Sequence, residues 1–226
     1  MRKLFGALAG AVALSAATSA GAATFNLASS AGASSYTNGS IHGYQMTVDG
    51  ITLTVTIGHY TDAGVITEGA HGARPTIYNG YGTGSKYNSS DEHTIDGNGY
   101  NEVVLLRFSE DVILESVLFG YFFSDDHFDF FADNDDPDTA LNYLYSGIDI
   151  PGSSYLSPGA GLYVFANIWQ GNIFGIGASG KYDAFKLKGL TVSKLPEVPL
   201  PAALPLFLAG AAGVGFMSRR RKAARA

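Results

Sequence analysis

The most regular pattern in the chain is Ile51-Thr52-Leu53-Thr54-Val55-Thr56-Ile57, where apolar and threonine positions alternate without a break. Extended backbone sends successive side chains to opposite faces, so a period of two predicts a half-buried strand. Tyr44-Gln45-Met46-Thr47-Val48 stands before it, separated by Asp49-Gly50. Glycine accepts positive φ at little cost, so the two runs predict a tight hairpin. Further apolar runs predict strands over 103–108, 112–123, 128–132, 162–168, 174–178 and 184–192, with Gly120 as a bulge in the second. Clusters of Gly, Asn, Asp and Ser separate these runs, and no helical stripe is sustained between residues 24 and 195. The spacing predicts an all-β fold over 23–195: a single β-sandwich, jelly-roll-like in topology.

The two ends follow other patterns. Met1-Arg2-Lys3 leads into an apolar run over 4–17 and then into small residues. Ala20 and Ala22 supply the small side chains that signal peptidase needs, which predicts a signal peptide over 1–22 cut after Ala22. The alternative is an uncleaved anchor, for which the apolar stretch is short. At the other end, 196–226 opens with the stiff segment Pro196-Glu197-Val198-Pro199-Leu200-Pro201-Ala202. Residues 200–217 are uncharged and mostly apolar, and as a helix they would span about 27 Å, close to the hydrocarbon thickness of a bilayer. A basic cluster over 219–225, led by Arg219, Arg220 and Arg221, would stay cytoplasmic and leave the body outside.

Val198-Pro199-Leu200-Pro201-Ala202, followed by an apolar span and an arginine cluster, resembles the VPLPA variant of the PEP-CTERM sorting signal. The resemblance implies a Gram-negative exported protein whose tail is recognised by an exosortase in the membrane. It implies a transient membrane anchor, then passage to the cell surface or to an exopolysaccharide matrix. Val198 to Ala202 and Arg219 to Arg221 would be the sorting motif. The sequence departs from the family's contiguous Pro-Glu-Pro, having Pro196-Glu197-Val198-Pro199 instead. The body is more loosely similar to other exported proteins of this kind, over 91–97, 102–109, 117–121 and 182–190. That similarity implies a sandwich and no particular activity.

Charge sharpens the picture. The chain holds 20 acidic and 14 basic residues, but seven of the basic ones and only Glu197 of the acidic ones lie in the leader and tail, leaving 23–195 with a formal charge of −12. Such a body repels phosphate backbones, so nucleic acid is not an expected partner. Cysteine is absent, which excludes disulfides, thiolate metal sites and thiol nucleophiles.

Three groups of residues could carry chemistry. Seven aspartates fall within the fourteen residues 125–138. Calcium takes six to eight oxygens, and Asp125, Asp126, Asp133, Asp135 and Asp138 are the candidate ligands. The spacing lacks the EF-hand pattern, and a solvated acidic loop is the commoner outcome. Second, all 13 tyrosines lie in the body, many beside Gly or Asn, and Trp169 sits between Asn167 and Gln170 in close sequence. Aromatic faces stack on sugar C–H groups while amides bond hydroxyls, which would suit a matrix polysaccharide; ordinary β packing is the alternative. Third, His42, His59, His71, His93 and His127 are scattered with no metal-binding spacing. No Gly-x-Ser-x-Gly occurs, and no catalytic residue or cofactor other than calcium is expected.

The reading is a non-enzymatic surface or matrix protein that binds glycan. A secreted polysaccharide hydrolase and a membrane-tethered structural protein are the alternatives.

Overall fold

Extended backbone dominates the computed structural model, which describes residues 21–86, 93–132, 141–156 and 160–196. The first strands are β1 (Ala22–Asn26), β2 (Ser34–Asn38), β3 (Ile41–Val48), β4 (Ile51–Tyr60) and β5 (Ile66–Glu68). A 3-10 turn at Ala70–Gly72 leads to β6 (Arg74–Tyr78), β7 (Gly82–Lys86) and β8 (Ile95–Asp96). The remainder is β9 (Asn101–Tyr121), β10 (His127–Ala132), β11 (Asn142–Asp149), β12 (Leu162–Gly177) and β13 (Ala184–Lys194). Residues Gly21–Leu195 make one unit. Among the described residues no helix is long and apolar enough to cross a membrane, and the span expected over 200–217 lies outside them.

The alternating run forms β4 as its period requires. Ile51, Leu53, Val55 and Ile57 are fully buried, while Thr52 and Thr54 stay half-exposed. Each such apolar side chain contributes about 1.5–3 kcal/mol through burial. The hairpin with β3 closes Val48 on Ile51, and both turn residues have positive φ, 50° at Asp49 and 80° at Gly50. That is the turn whose twist matches the strands it joins.

Two expected pairs of strands are each one strand. β9 runs through Ser109-Glu110-Asp111, three exposed polar residues between its apolar halves. Its first half pairs with β4 and with the end of β12; its second half pairs with the start of β12 and with β13. β9 and β12 therefore pass from one sheet into the other. The first sheet runs β2, β3, β4, β9, β12, β10, β11, with β5 also on β4. The second runs from the start of β12 through β9 and β13 to β1, with β7 and β8 along the start of β13 and β6 beyond β7. All these pairings are antiparallel. The result is a large all-β, sandwich-like body.

Rings from both sheets meet in the core. Phe25 of β1 lies edge-on to Phe108 at 5.8 Å, and Phe119 meets Phe128 and Phe185 at 5.0 Å each. The bulge expected at Gly120 is present: Lys186 faces Tyr121 and Leu187 faces Phe119, so Gly120 has no opposite residue. A Cβ there would collide with the Tyr81 carbonyl oxygen, because the β6–β7 turn packs directly onto it.

A smaller apolar group of Tyr60, Val103, Leu105 and Phe131 is built from the neighbours in sequence of inward core residues, so it covers the other face of the first sheet. Here Tyr60 donates its hydroxyl hydrogen to the buried Asp129 carboxylate, which also accepts the Gly147 N–H at 2.9 Å.

Candidate functional site: an aromatic groove between sheet edges

The first sheet ends in β11, and the second ends in the first part of β12. Tyr145 and Ile148 of β11, with Tyr163, Phe165, Ala166, Asn167 and Trp169 of β12, line a groove of about 170 Å³. A large bulge shapes β12 at this point. Its register jumps from Val164 opposite Ser116 to Trp169 opposite Leu114, so four residues face only Glu115 on β9. A bulge re-aims the side chains it carries. Here it leaves Ala166, Asn167 and Ile168 exposed and brings Phe165 and Trp169 back inward.

The groove's rings are seated on the core. Trp169 and Phe165 both contact the fully buried Phe130, with centroids 5.5 and 4.7 Å away. Tyr163 stands edge-on to Phe128 at 5.0 Å and to Phe165 at 5.1 Å. Across the opening, Tyr145 meets Trp169 at 5.8 Å with ring planes 73° apart, and Tyr145 is 45% exposed. Buried rings hold exposed ones, so little side-chain freedom remains to be lost on binding. One amide, on Asn167, supplies both donors and an acceptor.

Trp169 and Asn167 stand out in the sequence, and they share this site. Tyr145, Tyr163, Phe165 and Ile148 do not stand out. The alternation of Tyr163 with Phe165 is the signal that places those two on a common face, while Tyr145 reaches the site through its pairing with Phe130.

The other aromatic candidates serve different purposes. Tyr78 and Tyr121 take the buried Lys186 ammonium between them, at 5.1 and 4.3 Å from their ring centroids. Tyr81 packs edge-on to Tyr155, which stacks on Tyr121 at 4.9 Å. Tyr100 stacks on His59 and His71 at 4.8 and 4.5 Å.

Of the five candidate calcium ligands, Asp125 and Asp126 are described, and Asp133, Asp135 and Asp138 lie outside the described residues. Asp125 is exposed. Asp126 is buried and spends both oxygens on backbone, accepting Phe123 N–H at 2.7 Å and Ala184 N–H at 3.1 Å. In return Asp183 accepts the N–H of His127 at 3.0 Å and of Gly180 at 3.0 Å. The result is a two-way clasp between the β9–β10 turn and the loop before β13. His127 completes it, its Nδ1 3.2 Å from Asp183 and its Nε2 3.1 Å from Asp149. Among the described residues no group of three or more His, Asp or Glu side chains is arranged to hold a metal ion.

Burial pushes the Asp126 carboxyl above the usual carboxylate range; its two N–H bonds oppose this, and the nearby Asp183 and Asp125 charges add to it. For His127, partial burial works against the charged ring, but the Asp183 hydrogen bond and the Asp183, Asp149 and Asp126 charges outweigh it, so its pKa is raised.

His59 lies 3.7 Å from the buried Glu102, whose Oε1 accepts the Ser85 hydroxyl at 2.6 Å. The carboxylate, not the imidazole, is the central member, so this differs from a nucleophilic triad. His42 is exposed on β3, and His93 stacks on Tyr78 at 5.2 Å.

Ala22 opens β1, and Ala23 beside it is fully buried. Ala20 and the sorting residues Val198, Pro199, Leu200, Pro201, Ala202, Arg219, Arg220 and Arg221 lie outside the described residues. No protein-family model, curated protein or solved structure matches the chain.

Proposed function

We propose that this is an exported cell-surface or exopolysaccharide-matrix protein whose body binds glycan. In this reading a jelly-roll-like sandwich is carried between a leader over 1–22 and a sorting segment over 196–226. The leader is removed by signal peptidase, and the tail is handled by an exosortase in the membrane. The acidic body and the basic tail support that orientation, since the cationic cluster stays on the cytoplasmic side.

The observation that carries the binding reading is the groove in which Tyr145 and Trp169 flank an opening with Asn167 at its rim. Stacking rings plus a neutral amide match a sugar's mixed surface of C–H faces and hydroxyls. Its lining offers rings and an amide rather than a carboxyl pair, which favours binding over glycoside hydrolysis. Of the candidate calcium ligands, Asp126 is already engaged with backbone N–H groups, so the glycan reading rests on the groove alone.

Two measurements test the proposal. Retention of the purified protein on immobilised matrix polysaccharide should fall at least about tenfold in Trp169→Ala, a loss of roughly 1.4 kcal/mol or more. Equal retention by the variant would sink the groove as the site. Intact-mass analysis of protein from the native host should show the leader gone and residues beyond about 199 removed. A mature mass that still includes Arg219 to Ala226 would reject processing of the tail.

A further inference from the structure

We infer that the groove selects an uncharged six-membered sugar ring and excludes uronic-acid polymers. The inference rests on the glycan reading above and adds the chemical class of the sugar.

Size sets the first limit. A cavity of about 150 Å³ holds one benzene ring, so about 170 Å³ admits one ring of that size and not a stretch of polymer. The walls set the second. Tyr145 and Trp169 stand 73° apart, not parallel, so one aromatic face stacks against the sugar and the other ring bounds its edge. A terminal or protruding residue of a chain meets that geometry.

Charge sets the third. β10, β11 and β12 contain no Lys or Arg. Their one basic side chain, His127, is held between Asp149 and Asp183. None of the described side chains that line the groove is charged. Asp149 lies on the face of its cross-strand partner His127, opposite to Ile148 and Phe128, so its carboxylate points away from the groove. A uronate entering here would lose hydration and find no cation among the described side chains that line the groove, on a body whose formal charge over 23–195 is −12. A neutral hydroxyl can pair with the Asn167 amide at no charge cost.

The test uses the chain's only tryptophan, which is Trp169 itself, so its fluorescence reports occupancy of the groove without any substitution. The full-length protein is titrated with a panel of neutral glucans and galactans. It is also titrated with polygalacturonate, alginate and hyaluronan, each beside its carboxyl-reduced form. Saturable emission changes are expected with at least one neutral or carboxyl-reduced polymer. Each parent uronate should bind at least about tenfold more weakly, since a carboxylate that enters a lining with no cation loses its hydration uncompensated. Uronates that bind as tightly as their reduced forms would overturn the charge selection and leave the glycan reading standing. No emission change with any polymer would overturn both.

Discussion

At the residue scale, the side chains that matter most here are those whose neighbours leave them no choice. Gly120 is one, because the Tyr81 carbonyl occupies the space of a Cβ. Gly120→Val should therefore cost about 1–3 kcal/mol, the usual range for overpacking, read as a lower urea midpoint with an unchanged slope. His127 is another. Its folded-state pKa lies above its unfolded value, so its contribution to stability is present below about pH 6.5 and is lost as pH rises through the raised value. Asp126 is also raised, so it too weakens the fold as pH climbs, but from the ordinary carboxylate range upward. Thermal unfolding across neutral pH should show Tm falling on the alkaline side, and His127→Gln should flatten that slope. A slope unchanged by the substitution would mean that His127 is not its source.

Elements show which parts the hydrophobic pattern reveals and which it hides. β3, β4, β10 and β13 are legible because each repeats every second residue or forms an apolar run between turn formers. β9 and β12 are legible as halves, since exposed polar residues mark their corners and pairing continues through them. β2, β6, β7 and β11 are rich in Ser, Thr, Gly, Asn and Tyr and carry little apolar signal; they are strands because neighbours pair with them. β1 is hidden for another reason, since it begins at Ala22, the last residue of the expected leader. It pairs with β13 from Ala22 opposite Ser193 to Asn26 opposite Gly189, and it buries Ala23 and Phe25 completely. Cleavage after Ala22 leaves both in the mature chain. Phe25→Ala should cost about 3–5 kcal/mol, measured as the shift in denaturant midpoint. A loss under about 1 kcal/mol would mean that β1 is dispensable to the second sheet.

On the scale of the whole molecule, β9 and β12 each contribute to both sheets, so neither sheet can lose its ladder without the other. The body should unfold in one cooperative transition. Trp169 fluorescence, which reports the groove, and far-UV circular dichroism, which reports the strands, should trace coincident curves. Separated midpoints would show that the two sheets melt independently.

The sequence alone determined the strand-rich class, the β3–β4 hairpin, the Gly120 bulge and the acidity of the body. Each of these is encoded by neighbouring residues, through the two-residue period, a glycine's freedom or simple charge. It also marked Trp169 and Asn167 as a pair worth attention, but not the ring they face. Only the tertiary structure decided that Tyr145 lies across from Trp169, that β9 and β12 change sheets, and that Asp126 closes a clasp instead of standing free. Those outcomes depend on which distant strands pair and where a bulge falls, and that choice is made by burial summed over the whole core.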